Sequence, residues 1–377
     1  MAKVSKHPSL AGRYIIAYDE PRGANGKRRR VRIVFRGTRR DAELEIGRLL
    51  ESARMGVSRP NAQTLATYLD SWLDRIKARV LVASGEDRDM SPATYRSYRA
   101  YVEHQIKPVL GHVRLRDLTP LHIEDAIDKW RSRQRQKGGG TISRRTVHHI
   151  FSTLNAALSA AVRWRIISLN PCTLVVPPKK GLKSLDAVTI ADARKILEHD
   201  SLEPIHVAAV FSLLTGVRRS ELLALSFNDI DLEQATAYVH NAVTQLLDGS
   251  IGRKENKTGK SRRMVPLAPM LVALLARYFQ QWWVGNEPLF GTWHPETFSS
   301  ALNRHFKKLG IAGASVQRLR HTFNSLGRTA GGDSALRAAL MGHSTTQMTD
   351  NQYTTLAPGE GANLVARIEE TLNVKLP

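Results

Sequence analysis

One stretch limits what this chain can fold into more than any other. Leu65, Tyr68, Leu69, Trp72, Leu73 and Ile76 fall on a single stripe at helical spacing, so this segment reads as a helix that buries one face. Further stripes follow it. Ser91-Pro92 opens a helix with proline at its favoured first position and with Tyr95, Tyr98, Tyr101 and Val102 along it. Thr119-Pro-Leu-His starts another that runs through Ile123, Ile127 and Trp130. Ser143 to Val162 carries Ile150, Leu154, Leu158 and Val162. Aromatic and leucine stripes at this spacing are core, and Lys137-Gly-Gly-Gly140 is a flexible break between the last two. Residues 59–174 thus read as one helical domain.

The chain ahead of it has a different pattern. Tyr14-Ile-Ile-Ala-Tyr18 reads as a strand, Pro21 to Gly26 as a turn and Arg28 to Phe35 as a second strand. Asp41 to Ala53 sets Leu44, Ile46, Leu49 and Leu50 for a helix packed on that hairpin. Residues 1–58 are therefore expected to hold a small β-sheet with one helix, over about 10–55, and the start of the linker Gly56-Val-Ser-Arg-Pro-Asn-Ala. Lys27, Arg28, Arg29, Arg30 and Arg32 make the hairpin strongly basic, which suits a ribbon laid into a DNA groove. A solvated basic hairpin is the plainer alternative.

Beyond the helical domain, Pro177-Pro-Lys-Lys-Gly-Leu-Lys183 gives a basic linker within residues 175–188. A third domain, 189–377, opens with Thr189 placed as a helix N-cap and Asp192 in the first turn. Pro204 to Leu225 is mostly apolar helix broken at Thr215-Gly216. Short strands are expected at Ala235 to Thr244 and at Arg262 to Leu267, with helices over Met270 to Trp283, Pro295 to Leu309 and Arg318 to Arg328. Gly361 to Val374 sets Leu364, Val365, Ile368 and Leu372 on the stripe of a final short helix. The expected fold is multidomain and mainly α with small β-sheets.

A chain of 377 residues is too long for one ordinary core, which agrees with this division. Its 56 Lys and Arg against 34 Asp and Glu leave a net charge of +22, and such a balance points to a polyanionic partner, most simply nucleic acid. No apolar run is long enough to span a membrane, and the N-terminus lacks the apolar core of a secretory signal. Cys172 is the single cysteine, which excludes an internal disulfide and argues against a zinc cluster. The expectation is a soluble, cytoplasmic, DNA-binding protein.

Chemistry concentrates in the third domain. Thr215-Gly-Val-Arg-Arg-Ser-Glu221 is followed by the basic turn Asn256-Lys-Thr-Gly-Lys-Ser-Arg-Arg-Met-Val-Pro-Leu267. Ser315-Val-Gln-Arg-Leu-Arg-His-Thr-Phe323, Met341-Gly-His-Ser344 and Tyr353 come next. Arginine pairs clamp phosphates bidentately, and a tyrosine can attack phosphorus. With these residues the chain resembles the tyrosine recombinase (phage integrase) family. That family's pattern is a Thr-Gly-x-Arg-x-x-Glu box, a turn lysine, a His-x-x-Arg box, a Leu-Gly-His box and a terminal tyrosine, and each can be placed here in order. Met341 stands where leucine is usual, and Gln317 stands where the pattern has histidine. The neighbouring His321 belongs to the Leu-Arg-His-Thr run and is a different position.

The resemblance implies that Tyr353 is the nucleophile, forming a 3′-phosphotyrosyl link and freeing a 5′ hydroxyl. It implies that Arg218 and Arg320 clamp the scissile phosphate, with Arg218 rather than Arg219 selected by its place after Gly-x. Glu221 would support the site and His343 would hydrogen-bond the phosphate. Lys257 would be the general acid, although Lys254 and Lys260 flank it in the same turn. Gln317 can donate a hydrogen bond but cannot exchange a proton near neutral pH. No cofactor is implied, because two arginines and a lysine stand in for a metal. The first domain resembles the arm-binding domain of many integrases, with Arg28, Arg29 and Arg30 as contacts. The second resembles the core-binding domain, with Arg131, Arg133, Arg144 and Arg145 as candidate phosphate contacts. The implied partners are duplex attachment sites, a homotetramer in the synaptic complex and accessory DNA-bending or directionality proteins. The C-terminal stripe is expected on a neighbouring subunit, with its own domain as the alternative. A type IB topoisomerase and a non-catalytic DNA-binding protein on the same scaffold are the rival functions; Arg218, Arg320, His343 and Tyr353 speak against the second, and Gln317 alone speaks for it.

Overall fold

The computed structural model describes residues 2–20, 29–54, 63–82, 90–134, 139–180, 187–255, 262–282, 287–342 and 360–372. They fall into two compact units, Met1–Leu182 and Lys183–Pro377.

The first unit begins with an antiparallel sheet of β1 (Lys3–Lys6), β2 (Arg13–Glu20) and β3 (Arg29–Arg36), in that order, and with helix α1 (Arg39–Arg54). Alternation along the strands sorts the faces. Ile16, Tyr18, Val31, Ile33 and Phe35 pack with Ala42, Ile46 and Leu49 of α1 into a small separate core. The opposite face of β3 carries the exposed Arg30, Arg32, Val34 and Arg36. Nothing in the sequence pattern announces β1, whose only apolar residue is Val4; it forms by pairing with β2 in the register Val4↔Ile16.

The helical stripes appear as α2 (Leu65–Val82), α3 (Pro92–Tyr101), α4 (Lys107–Leu110), α5 (Pro120–Ser132) and α6 (Arg144–Arg163). Leu65, Tyr68, Leu69, Trp72, Ile123, Trp130, Ile150, Leu154 and Leu158 are all buried. Ser91, Thr119 and Ser143 each cap the helix that follows by accepting a backbone N–H three residues on. Unexpectedly, α3 does not stop at Val102 but continues through a π-helical turn, Val102–Ile106, into α4. The cause is Pro108, which has no N–H for the His104 carbonyl four residues back. Arg133 supplies that donor from Nη1 (2.8 Å), and Trp130 Nε1 donates to the next carbonyl, Gln105 (3.0 Å). The following residues lie against this unit as well: Val175 and Pro178 are buried, and His148 donates from Nδ1 to the Pro178 carbonyl (2.7 Å).

The second unit is organised on α8 (Pro204–Thr215), which follows α7 (Ile190–Glu198) and is buried from His206 to Thr215. A helix apolar all round belongs in the middle of a core. After the short α9 (Arg219–Leu222) come β4 (Ile230–Asp231), β5 (Thr236–Val239), β6 (Asn241–Gln245), β7 (Ile251–Glu255) and β8 (Arg263–Pro266). The single strand expected over Ala235 to Thr244 is two. β5 sits between β4 and β8, whereas β6 pairs with β7 as a separate hairpin. Around the core lie α10 (Pro269–Trp282), α11 (Pro295–Lys308), α12 (Val316–Thr329), α13 (Ser334–Met341) and α14 (Glu360–Leu372).

The structure corrects the expectation for the C-terminal stripe. Leu364, Val365, Ile368 and Leu372 are buried in the core of their own unit, so α14 needs no neighbouring subunit to cover them. Glu369 accepts the Met270 N–H (3.1 Å) and Arg194 donates to the Leu372 carbonyl (2.8 Å), fastening both faces of the helix end. Among the described residues no helix is long and apolar enough to cross a membrane.

Candidate active site

The end of α8 sets the site. Gly216 takes a left-handed conformation (φ 64°), and a Cβ there would lie 2.5 Å from Cδ1 of Phe323, so only glycine lets α12 approach this closely. That approach brings Arg320, one turn ahead of Phe323 on α12, to the Gly216 carbonyl, to which Nη1 donates (2.7 Å). Its Nη2 donates to the Met341 carbonyl (2.7 Å), at the end of α13. Arg320 is only 8% exposed, and burial, aided by the neighbouring Arg218 charge, lowers its pKa to about 10. It stays fully charged at neutral pH.

Arg218 leads into α9. Its backbone N–H is accepted by Glu221 Oε2 (2.9 Å), its Nη1 donates to Glu221 Oε1 (2.7 Å), and its Nη2 donates to the Gly342 carbonyl. Among the described residues nothing takes Nε or the second hydrogen of either terminal nitrogen, which leaves them for another anion. Glu221 is buried, and burial by itself would raise its pKa. Hydrogen bonds and charge from Arg263, with those of Arg218, outweigh that and lower it. The carboxylate is therefore ionised and held between two guanidiniums.

Arg263, on β8, is the member that the sequence pattern does not single out. It donates to Glu221 from Nη2 (2.9 Å) and to the Leu340 carbonyl from Nε (2.7 Å). The available signal was the run Arg263-Met-Val-Pro-Leu267, in which strand alternation sets Arg263 on the same face as Val265, and the structure buries that face. Arg263, Arg320 and Arg218 thus take the successive carbonyls of Leu340, Met341 and Gly342, the orphan acceptors at the end of a helix. Gln317 lies one turn before Arg320 on α12, and its exposed side chain makes no hydrogen bond to another described residue.

Of the residues singled out in sequence, the structure brings together Arg218, Glu221 and Arg320. Lys257, His343 and Tyr353 lie outside the described residues, as does Arg28. Lys254 stands in β7 opposite Ala242. In the first unit, Arg29 pairs in register with Glu20, and Arg30 is exposed on the face of the sheet away from α1. Arg144 and Arg145 are exposed in the first turn of α6, and Arg131 makes an exposed ion pair with Asp128 (3.1 Å). Arg131 and Arg144 share the wall of a groove of about 780 Å³ between α5, α6 and residues 175–179, together with Glu124, Asp128 and Lys179.

Residues 186–360 match the phage integrase family, and residues 64–131 match the phage integrase N-terminal SAM-like domain. The chain is 27% identical over 351 residues to an integrase of Streptomyces ambofaciens, covering 85% of each protein. It is 24% identical over 389 residues to a XerC-like tyrosine recombinase of Caldanaerobacter subterraneus subsp. tengcongensis, covering 93% of each. Its fold is similar to that of lambda integrase in a tetramer bound to a Holliday junction, with TM-score 0.57 and 18% identity over 93% of this chain and 98% of that one. It is likewise similar to the Tn1549 transposon integrase in complex with transposon right end DNA, with TM-score 0.58 and 20% identity over 82% of this chain and 99% of that one. Matched in both units, the chain belongs to the phage integrase family and is a site-specific DNA recombinase of the tyrosine type.

Proposed function

We propose that this recombinase breaks and rejoins DNA at attachment sites of a phage or other mobile element, through a 3′-phosphotyrosyl intermediate on Tyr353. The tyrosine hydroxyl gives up its proton to water as its oxygen attacks the scissile phosphorus, the bond to the 5′ oxygen breaks, and Lys257 delivers a proton to that leaving oxygen. Rejoining reverses these steps with a 5′ hydroxyl from the partner strand, so no external energy source is needed. Arg218 and Arg320 neutralise the non-bridging oxygens, His343 and Gln317 add hydrogen bonds, and Glu221 holds Arg218 in place.

The observation that carries this reading is the arrangement of Arg218 and Arg320. Three guanidiniums are grouped near one carboxylate, which Arg218 and Arg263 bond directly while Arg320 bonds the Gly216 and Met341 carbonyls, and this leaves a surplus of positive charge in a site already fastened to protein carbonyls. Such fixed donors need no rearrangement when charge develops on a phosphate. Residues 189–377 act as the catalytic domain. Residues 59–174 hold the core site, with Arg131, Arg144 and Arg145 on its phosphates, and residues 1–58 read a second, arm-type sequence through Arg28, Arg29 and Arg30. Like the lambda integrase bound to a Holliday junction, the protein works as a tetramer. It acts in the cytoplasm of a bacterial host, with DNA-bending or directionality proteins assisting.

The test is covalent capture on a nicked duplex carrying the site recovered from the element's junctions. Tyr353→Phe is expected to abolish the adduct and leave duplex binding nearly unchanged. Arg218→Ala or Arg320→Ala is expected to slow capture by about a hundredfold or more, the usual scale for losing one transition-state donor. An adduct that persists in Tyr353→Phe would assign the nucleophile elsewhere.

A further inference from the structure

We propose that Arg263 is a positioning residue of this site: it fixes Glu221, and through Glu221 the guanidinium of Arg218, without touching DNA itself. The inference rests on the reading of the site as a phosphoryl-transfer centre.

The side chain of Arg263 is 8% exposed, against 37% for Arg218. All three of its nitrogens have fixed partners. Nε donates to the Leu340 carbonyl (2.7 Å), Nη2 to Glu221 Oε2 (2.9 Å) and Nη1 to Glu221 Oε1 (3.3 Å). An arginine so enclosed and so fully engaged is not placed to receive a phosphate. It instead supplies the second cation that a buried carboxylate needs in order to remain ionised.

Glu221 has two jobs that conflict if Arg263 is removed. Its two oxygens serve the backbone and the side chain of Arg218, and both also meet Arg263. With Arg263 gone, the carboxylate either takes up a proton and releases Arg218, or draws the Arg218 fork inward to cover both oxygens. Either way Arg218 leaves the orientation in which its remaining N–H groups point away from Glu221.

Gly342 fits the same arrangement. Its φ is 65°, and a Cβ there would lie 2.6 Å from Arg263 Nη1 and 2.9 Å from Cζ. The Arg263 guanidinium therefore lies directly against the residue whose carbonyl Arg218 binds.

The test is single-turnover capture on the same nicked duplex at saturating protein, with half-site affinity measured in parallel. Arg263→Met is expected to lower the rate constant by about 10- to 100-fold, the scale seen when a group that orients a ligand is lost. Half-site affinity should stay within about threefold, since no phosphate contact is removed. Arg263→Lys supplies charge but not the fork, so its rate should fall between the two. If Arg263→Met does not fold, Arg263→Lys carries the test. A variant with a wild-type rate constant and only a smaller adduct amplitude would overturn the inference, since that is the mark of a purely structural residue. Parallel loss of affinity and rate would overturn it too, making Arg263 a DNA contact. Wild-type protein without an adduct would instead overturn the phosphoryl-transfer reading, and this inference with it.

Discussion

Deleting residues 360–377 should unfold the second unit. The deletion removes α14, whose Leu364, Val365, Ile368 and Leu372 are each no more than 1% exposed. Full burial of such side chains contributes about 1.5–3 kcal/mol each, so the four together account for roughly 6–12 kcal/mol. That equals most of the roughly 5–15 kcal/mol by which a folded domain is stable. The loss is not relieved by collapse, because the methyls of Leu364 fill the space over Gly332 and Ile368 reaches Gly327 of α12. Hydrogen exchange read by mass spectrometry separates the units. Amides of α8 should lose protection, whereas those of α2 and α6 keep theirs. Half-site binding in a gel shift should fail at the same time. A truncated protein that keeps α8 protected and binds the half-site, yet cannot pair two sites, would refute the reasoning. It would return α14 to a contact between protomers.

Other expectations follow from the same geometry. His206 is 1% exposed, with its Nδ1 3.1 Å from Nε2 of His305, and burial with the His305 and His199 charges lowers its pKa to about 4. The folded state holds it neutral while the unfolded chain takes up a proton below about 6.5, so stability falls as pH drops from 6.5 to 4. The loss should be about 3 kcal/mol in urea melts, and His206→Gln should flatten the profile; an unchanged slope would reject that role. Gly342→Ala should sharply slow capture, because a Cβ meets Arg263 in a left-handed conformation; a normal rate constant would show that the arginine yields freely. Deleting residues 1–58 should spare the core-site footprint and remove a second one elsewhere, since the small sheet has its own core; identical footprints would sink the arm-site assignment.

The helices were legible because burial in a bundle writes itself at a period of 3.6. Tyr68, Trp72, Ile123, Trp130 and Leu154 need no distant information to be read as core. Arg218 and Arg320 were legible through the boxes around them. What escaped depends on partners far along the chain. β1 has one apolar residue and exists because β2 pairs with it. Pro108 causes the π-turn, but Arg133 and Trp130, the donors that take the carbonyls of His104 and Gln105, lie 29 and 25 positions further along the chain. Arg263 looked like one more basic residue of a turn until Glu221, 42 positions earlier, supplied its counter-charge. The fate of the last helix was undecidable from its stripe, since periodicity says that a face is buried but not by whom.

The arginines grip α13 by its main chain, and this has a consequence for how the protein can change. A carbonyl is the same whatever side chain follows it, so the grip places no demand on the identities of residues 340 and 341 beyond filling the core. Met341 can therefore stand where leucine is usual, 2% exposed among apolar neighbours, with its carbonyl still in the hands of Arg320. Position 342 has no such freedom, because there the backbone conformation itself is part of the fit. Mutational drift is thus channelled: the hydrophobic half of the box is open to substitution at no cost to the chemistry, and the glycine is closed.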